Sequence, residues 1–175
     1  DESTSDTTFT VTITDVDEFD VGEVTDTDSD ANTLAEDVSN GASAEITASA
    51  TDADGTTNTV TYAISSQSCT GAFAIDSSSG AVTVADTSAI DYEAGTTCTI
   101  DVRATSADGS TSDATFTVTI TDADEFDVGA PADSDSSANE VAENAVAGTS
   151  AHITASASDA DGTTNTVTYA ITAQS

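Results

Sequence analysis

The chain has 175 residues, 33 of them Asp or Glu against a single basic Arg or Lys, and a formal net charge of -32 at pH 7. That balance excludes a nucleic-acid module, which needs a basic stripe to release phosphate counterions. It also excludes a membrane-surface helix, which needs Lys or Arg on its polar face, and Arg103 alone supplies neither.

A disordered acidic tail is excluded on other grounds, because hydrophobic residues make up 37% of the chain and fall in alternating runs. Carboxylates crowded on a small domain repel one another unless cations or salt screen them, which points to a calcium-containing or salty medium. No apolar run approaches the roughly 20 residues of a membrane span, so direct membrane insertion is not expected.

Residues 1–68 recur as residues 108–175, a shift of 107 residues with 49 identities in 68 pairs. A unit of that length is one domain. The expected organisation is therefore a last strand and linker of a preceding repeat at 1–20, a complete repeat at 21–127, and the first part of a following repeat at 128–175, the whole being a piece of a longer tandem array.

Taken in order, the strands read by period-two alternation. Phe9, Val11 and Ile13 face one way and Thr10, Thr12 and Thr14 the other, and the segment returns as Phe116 to Asp122. A short edge strand is predicted near Thr33, then strands at Ala44–Ala50, Asn58–Ser65, Ala72–Asp76, Ala81–Ala85, Thr97–Thr105 and Ala114–Thr121. About seven short strands separated by Asp, Gly and Ser turns in roughly 100 residues predict an all-β, seven-stranded Greek-key sandwich. The outward Thr rows suit a half-exposed strand, where a β-branched polar residue is favoured.

Four acidic groups stand at strand ends: Glu36; Asp52 and Asp54; Asp91 and Glu93; and Asp122, Asp124 and Glu125. Ca²⁺ takes six to eight oxygen ligands, so carboxylates held at fixed offsets in loops suit it. Solvated turn residues are the alternative for any one group, since Asp-Gly favours hairpins. Four groups in order, two of them repeated, argue against it. Asp52 to Gly55 has its Gly too early for an EF-hand loop.

These groups resemble the calcium motifs of the cadherin repeat, in the same order and between the same strands. Glu36 matches that family's early Glu, Asp52-Ala-Asp54 with Asn58 its Asp-x-Asp-x-Gly-x-Asn stretch, and Ile90-Asp-Tyr-Glu93 its Leu-Asp-Arg-Glu motif. Phe73 to Gly80 is similar to its Phe-x-Ile-Asp-x-x-Thr-Gly turn, and Asp122-Ala-Asp-Glu125 stands at its Asp-x-Asn-Asp linker. The resemblance implies a cadherin-like, Ig-like sandwich with Ca²⁺ at each junction between neighbouring repeats of the chain. One junction would use Glu36, Asp91, Glu93, Asp122, Asp124, Glu125, Asp159, Asp161 and the Asn165 carbonyl. The other would use Asp15, Asp17, Glu18, Asp52, Asp54 and Asn58, a smaller set expected to bind more weakly. Ser106 stands where the family places a further ligand Asp, with Asp108 two residues later, so the calcium count per junction is left open.

If the sandwich follows cadherin topology, Cys69 and Cys98 lie on paired strands and form a disulfide in an extracellular setting, with buried free thiols as the alternative. No enzyme is expected. The single His152 replaces Glu45 of the other copy, reads as a surface strand residue, and has no nucleophile motif beside it. The resemblance implies an extracellular or cell-surface spacer, rigidified by calcium, in an adhesin or surface fibre that mediates cell adhesion or builds matrix. Two alternatives stay open: like chains assembling into a filament, and a carbohydrate-binding module of a secreted enzyme.

Overall fold

The computed structural model describes residues 1–173, so the last two residues of the expected following repeat lie outside it. Residues 21–121 fold as two facing four-stranded sheets. In chain order these are β1 (Thr25–Asp26), β2 (Thr33–Ala35), β3 (Ser43–Ser49), β4 (Val60–Gln67), β5 (Phe73–Ile75), β6 (Ala81–Val84), β7 (Thr97–Ser106) and β8 (Thr111–Thr121). One sheet has the order β1-β3-β6-β5 and the other β2-β8-β7-β4, which is a Greek-key sandwich. β1 and β2 are two parts of one edge segment: it pairs antiparallel with β3, then changes sheet and pairs parallel with β8. Counted so, the strands number seven as the sequence predicts, each predicted strand lying within a few residues of its observed place.

Alternation becomes the core. Ala44, Ile46 and Ala48 of β3 with Val82 and Val84 of β6 face Cys98, Ile100, Val102 and Ala104 of β7 with Val118 and Ile120 of β8, all buried. The Thr residues between them face outward in register, Thr97 opposite Thr119 and Thr99 opposite Thr117. Packing is close enough that one glycine is sterically required. Gly80 has φ +75°, donates its N–H to Asp76 C=O, and lies so near β3 that an added Cβ would stand 2.0 Å from Ala48 O.

The same Phe-Thr-Val-Thr-Ile alternation that forms β8 forms no strand at residues 9–13, where Phe9, Val11 and Ile13 are 84%, 83% and 92% exposed. β8 exists because β7 and β2 flank it on either side, and among the described residues no counterpart of those strands pairs with residues 9–13. Among the described residues of the second copy the strands formed are the antiparallel pair β9 (Ala132–Asp133) and β10 (Ala155–Ser156), whose register matches that of β1 on β3. Hydrogen bonds local to the copy do recur, such as Gly22 N–H to Thr51 C=O and Gly129 N–H to Ser158 C=O, both at 2.8 Å.

Candidate metal centre

The loop after β3 is built by its own side chains. Tyr62 of β4 pins the strand end, its hydroxyl accepting from Ala50 N–H at 3.0 Å. Asp52 then accepts from Asp54 N–H at 2.9 Å, and Asp54 Oδ1 from Thr56 N–H and Thr57 N–H at 2.8 and 3.1 Å. Asn58 donates its amide to Asp54 C=O at 2.8 Å, closing the loop. The second copy repeats this with Tyr169 on Ala157 and with Asp161 Oδ1 accepting from Thr163 and Thr164 N–H. These N–H donors, Thr164 first and Thr163 next, hold the Asp161 carboxyl down at about 2, and Asp54 is lowered likewise by Thr56 and Thr57.

Two acidic clusters result. In the first, Thr56 Oγ1 donates to Asp15 at 2.5 Å and Glu18 N–H reaches Asp54 Oδ2 at 3.4 Å. Asp17 and Glu18 are both pushed up, by loss of water first and then by neighbouring charge, Asp108 for Asp17 and Asp54 for Glu18. In the second, Glu36 accepts from Tyr92 N–H at 2.8 Å and Ala123 N–H at 2.9 Å, so one carboxylate ties the Asp91-Tyr92-Glu93 loop to the segment after β8. Carboxylate oxygens of Glu36, Glu93 and Asp122 lie within 4.8 Å of one another. Thr163 Oγ1 donates to Asp122 at 2.7 Å, the counterpart of the Thr56 bond to Asp15. Gly162 allows the approach, since a Cβ there would stand 2.5 Å from Glu93 Cγ.

The donor set fits a hard divalent cation. Asp161 is 2% exposed with Oδ2 unpartnered, and Asp122 Oδ1 is likewise buried without a partner. Neither basic side chain helps, because Arg103 is bound through two 2.8 Å hydrogen bonds to Asp113 and His152 lies 3.8 Å from Asp135. Buried carboxylate oxygens with no donor and no counter-ion are costly, and oxygen-ligated Ca²⁺ relieves that cost.

Of the residues expected in the second cluster, Glu36, Glu93, Asp122, Glu125 and Asp161 face one another. Asp91 caps its own turn, accepting from Ala94 N–H at 3.0 Å while its charge bears on Glu93. Asp159 accepts from Asp161 N–H at 3.2 Å and Asn165 is exposed, as is Asp124. The Thr56 and Thr163 hydroxyls were not foreseen, and their exact repetition beside each Asp-x-Asp was the available signal. A third carboxylate group, Asp28, Asp30 and Glu45, was also missed. His152, expected on a strand, sits instead at a bend with φ +55°, as its counterpart Glu45 has φ +54° at a β3 irregularity.

Glu125 gives a test of this geometry. Its carboxyl is raised to about 7 by loss of water, a hydrogen bond to Glu36, and the charges of Glu36 and Glu93. A carboxyl with a raised folded-state pKa stabilises the fold below its ordinary 4.5, and that contribution is lost as pH rises through about 7. In EDTA the melting temperature is expected to fall between those pH values, and Ca²⁺ affinity to rise over the same interval as the proton leaves. Glu125→Gln should flatten both profiles; calorimetry and calcium titration at several pH values would show whether it does.

The sheets and their paired acidic loops define the class as a Greek-key sandwich module of a tandem repeat. The cadherin domain family matches residues 32–121, more than half of the sequence, and the chain belongs to that family. No curated protein matches it. Among solved structures it is similar to the extracellular domain of protocadherin gamma B4, at 21% identity and a TM-score of 0.63, covering 85% of this chain and 22% of that one. It is also similar to a protocadherin gamma B7 EC3-6 cis-dimer structure, at 18% identity and a TM-score of 0.60, covering 89% and 38%. The chain thus spans well under half the length of these structures. These likenesses confirm the fold. Among the described residues no helix is long and apolar enough to cross a membrane.

Proposed function

We propose that this chain is part of an extracellular tandem-repeat spacer of an adhesin or surface fibre, stiffened by Ca²⁺ held at the two acidic clusters. The observation that carries the reading is the second cluster, where the loops after β2 and β6, the segment after β8 and the Asp-x-Asp of the following copy meet at carboxylates without counter-ions. A cation shared by those four segments joins residues of the 21–127 repeat to residues of the 128–175 repeat. Chelation of one ion thus couples two domains. Glu36, Glu93, Asp122 and Asp161 would hold it, with Asp91, Asp124, Glu125, Asp159 and the Asn165 carbonyl at its margin. Asp15, Asp17, Glu18, Asp52, Asp54 and Asn58 would serve the first cluster. A unit that recurs at 107 residues with 49 identities in 68 pairs suits a spacer, whose reach is set by the number of like parts. No catalytic role is assigned.

Small-angle scattering of this chain in EDTA and in millimolar Ca²⁺ tests the reading. The expected result is one extended shape in Ca²⁺ and a broader, shorter distribution in EDTA, with Mg²⁺ resembling EDTA. Identical curves in all three would refute it. A second reading, assembly of like chains into a filament, is favoured by the exposed Phe9, Val11 and Ile13 row; the same curves give the molecular mass, and a monomer at high protein and calcium concentration would eliminate it.

A further inference from the structure

We infer that the hydroxyl of Thr163 is a metal-independent pin between the linker and the repeat that follows it, with Thr56 its counterpart at the first linker. The pin goes beyond the calcium reading and holds whether or not either cluster takes up an ion. Thr163 Oγ1 lies 2.7 Å from Asp122 Oδ2 and 3.2 Å from Asp161 Oδ1, and it has one proton to give. Asp161 Oδ1 is already supplied by Thr163 N–H at 2.8 Å and Thr164 N–H at 2.6 Å. The hydroxyl proton therefore goes to Asp122, the nearer carboxylate. A side chain anchored in the following repeat thus grips the linker 41 residues before it.

The linker is gripped from the other side as well. Ala123 N–H, one residue on from Asp122, donates at 2.9 Å to Glu36 of the preceding repeat. Two consecutive linker residues are held by the two repeats that they join, which leaves little backbone free to turn between them. Gly162, next to Thr163, adds a steric contact at the same place: it lies against Glu93 of the preceding repeat, so close that a Cβ would stand 2.5 Å from Cγ. None of these contacts needs a cation.

The first linker repeats the hydroxyl bond. Thr56 Oγ1 lies 2.5 Å from Asp15 Oδ2 and 3.3 Å from Asp54 Oδ1, which in turn accepts from Thr56 and Thr57 N–H. The bond again spans 41 residues. The steric contact does not recur, because a Cβ at Gly55 would meet nothing within 4 Å. The two linkers therefore separate the hydroxyl, which they share, from the glycine contact, which belongs to one.

The test is limited proteolysis of the whole chain in EDTA by chymotrypsin, which cuts after aromatic residues. Phe19 and Phe126 are matched sites, 54% and 53% exposed, each four residues beyond its pinned Asp. Cutting there requires the linker to open, and when opening is fast its rate follows the open population. Thr163→Val keeps the shape of the side chain and removes the proton. Loss of a hydrogen bond of ordinary net strength predicts cleavage after Phe126 about two- to tenfold faster, with cleavage after Phe19 unchanged. Thr56→Val should do the reverse, and Thr163→Ser and Thr56→Ser should keep the parent rates. Gly162→Ala should also hasten cleavage after Phe126, whereas Gly55→Ala should leave Phe19 as it was. Thr163→Val cut at the parent rate, equal acceleration at both sites, or a Thr163→Ser variant that behaves like Thr163→Val would each overturn the inference. With EDTA present throughout, these rates do not depend on calcium, so failure of the pin and failure of the calcium reading are told apart.

Discussion

Asp161→Asn is expected to cost more stability with calcium than without it. In EDTA the variant should melt somewhat below the parent, because the amide oxygen still accepts from Thr163 and Thr164 N–H but lacks the charge that those donors favour, as the lowered carboxyl pKa shows. In saturating Ca²⁺ the deficit should be larger, since the unpartnered Oδ2 is the oxygen that the ion would take. A site filled at about 100 times its Kd adds about 2.7 kcal/mol to folding, or on the order of 10 °C for a domain near 100 residues. Extracellular modules bind Ca²⁺ at about 10⁻⁴ to 10⁻³ M, so a series from EDTA to tens of millimolar spans the transition, with Mg²⁺ as control. A parent curve indifferent to Ca²⁺ would reduce these acids to solvated turns. A variant that loses stability equally in both media would show Asp161 to be only a loop cap.

Cys69→Ala with Cys98→Ala should be the most damaging change outside the clusters. The bond spans 29 residues and joins the turn just after β4 to β7, with Cα atoms 5.5 Å apart. On the chain-entropy account a loop of that length stabilises by about 3 to 4 kcal/mol, mostly by restricting the unfolded chain. The cost bears heavily on a core whose inward positions include Ala44, Ala48, Ala72 and Ala104, because Ala buries little apolar surface per residue. Urea unfolding of the double variant should show the unfolding free energy fall by that amount, with calcium response at the second cluster retained, since neither cysteine lies among its ligands. A loss below about 1 kcal/mol would mean that the reduced chain already holds β4 against β7 without the bond.

The sandwich was legible in the sequence because strand alternation is local. Ile46, Ile100 and Val118 face inward for the reason that residues two apart share a face, and a buried face admits only one register. β1 escaped notice because two residues, Thr25 and Asp26, carry no period; they are a strand only because Ser49 and Ala48 lie beside them. The converse holds for Phe9, Val11 and Ile13. Their pattern is that of β8, yet a strand needs a neighbour to take its N–H and C=O groups, and pattern alone cannot say whether one is present.

The acidic groups divide in the same way. Repetition at 107 residues and the order of the motifs mark Glu36, Asp54, Glu93, Asp122 and Asp161 as candidate ligands, because each acid lies at a strand end that local chemistry defines. Which carboxylates share a cluster depended on long-range packing: Glu36 meets Tyr92 and Ala123 across the end of the sandwich, and Thr163 meets Asp122 across 41 residues. Residue type and spacing thus determined the strands, the repeat and the identity of the acids, all of which follow from interactions a few bonds long. Tertiary structure decided which oxygens converge, because convergence is set by how distant loops stack on a shared core.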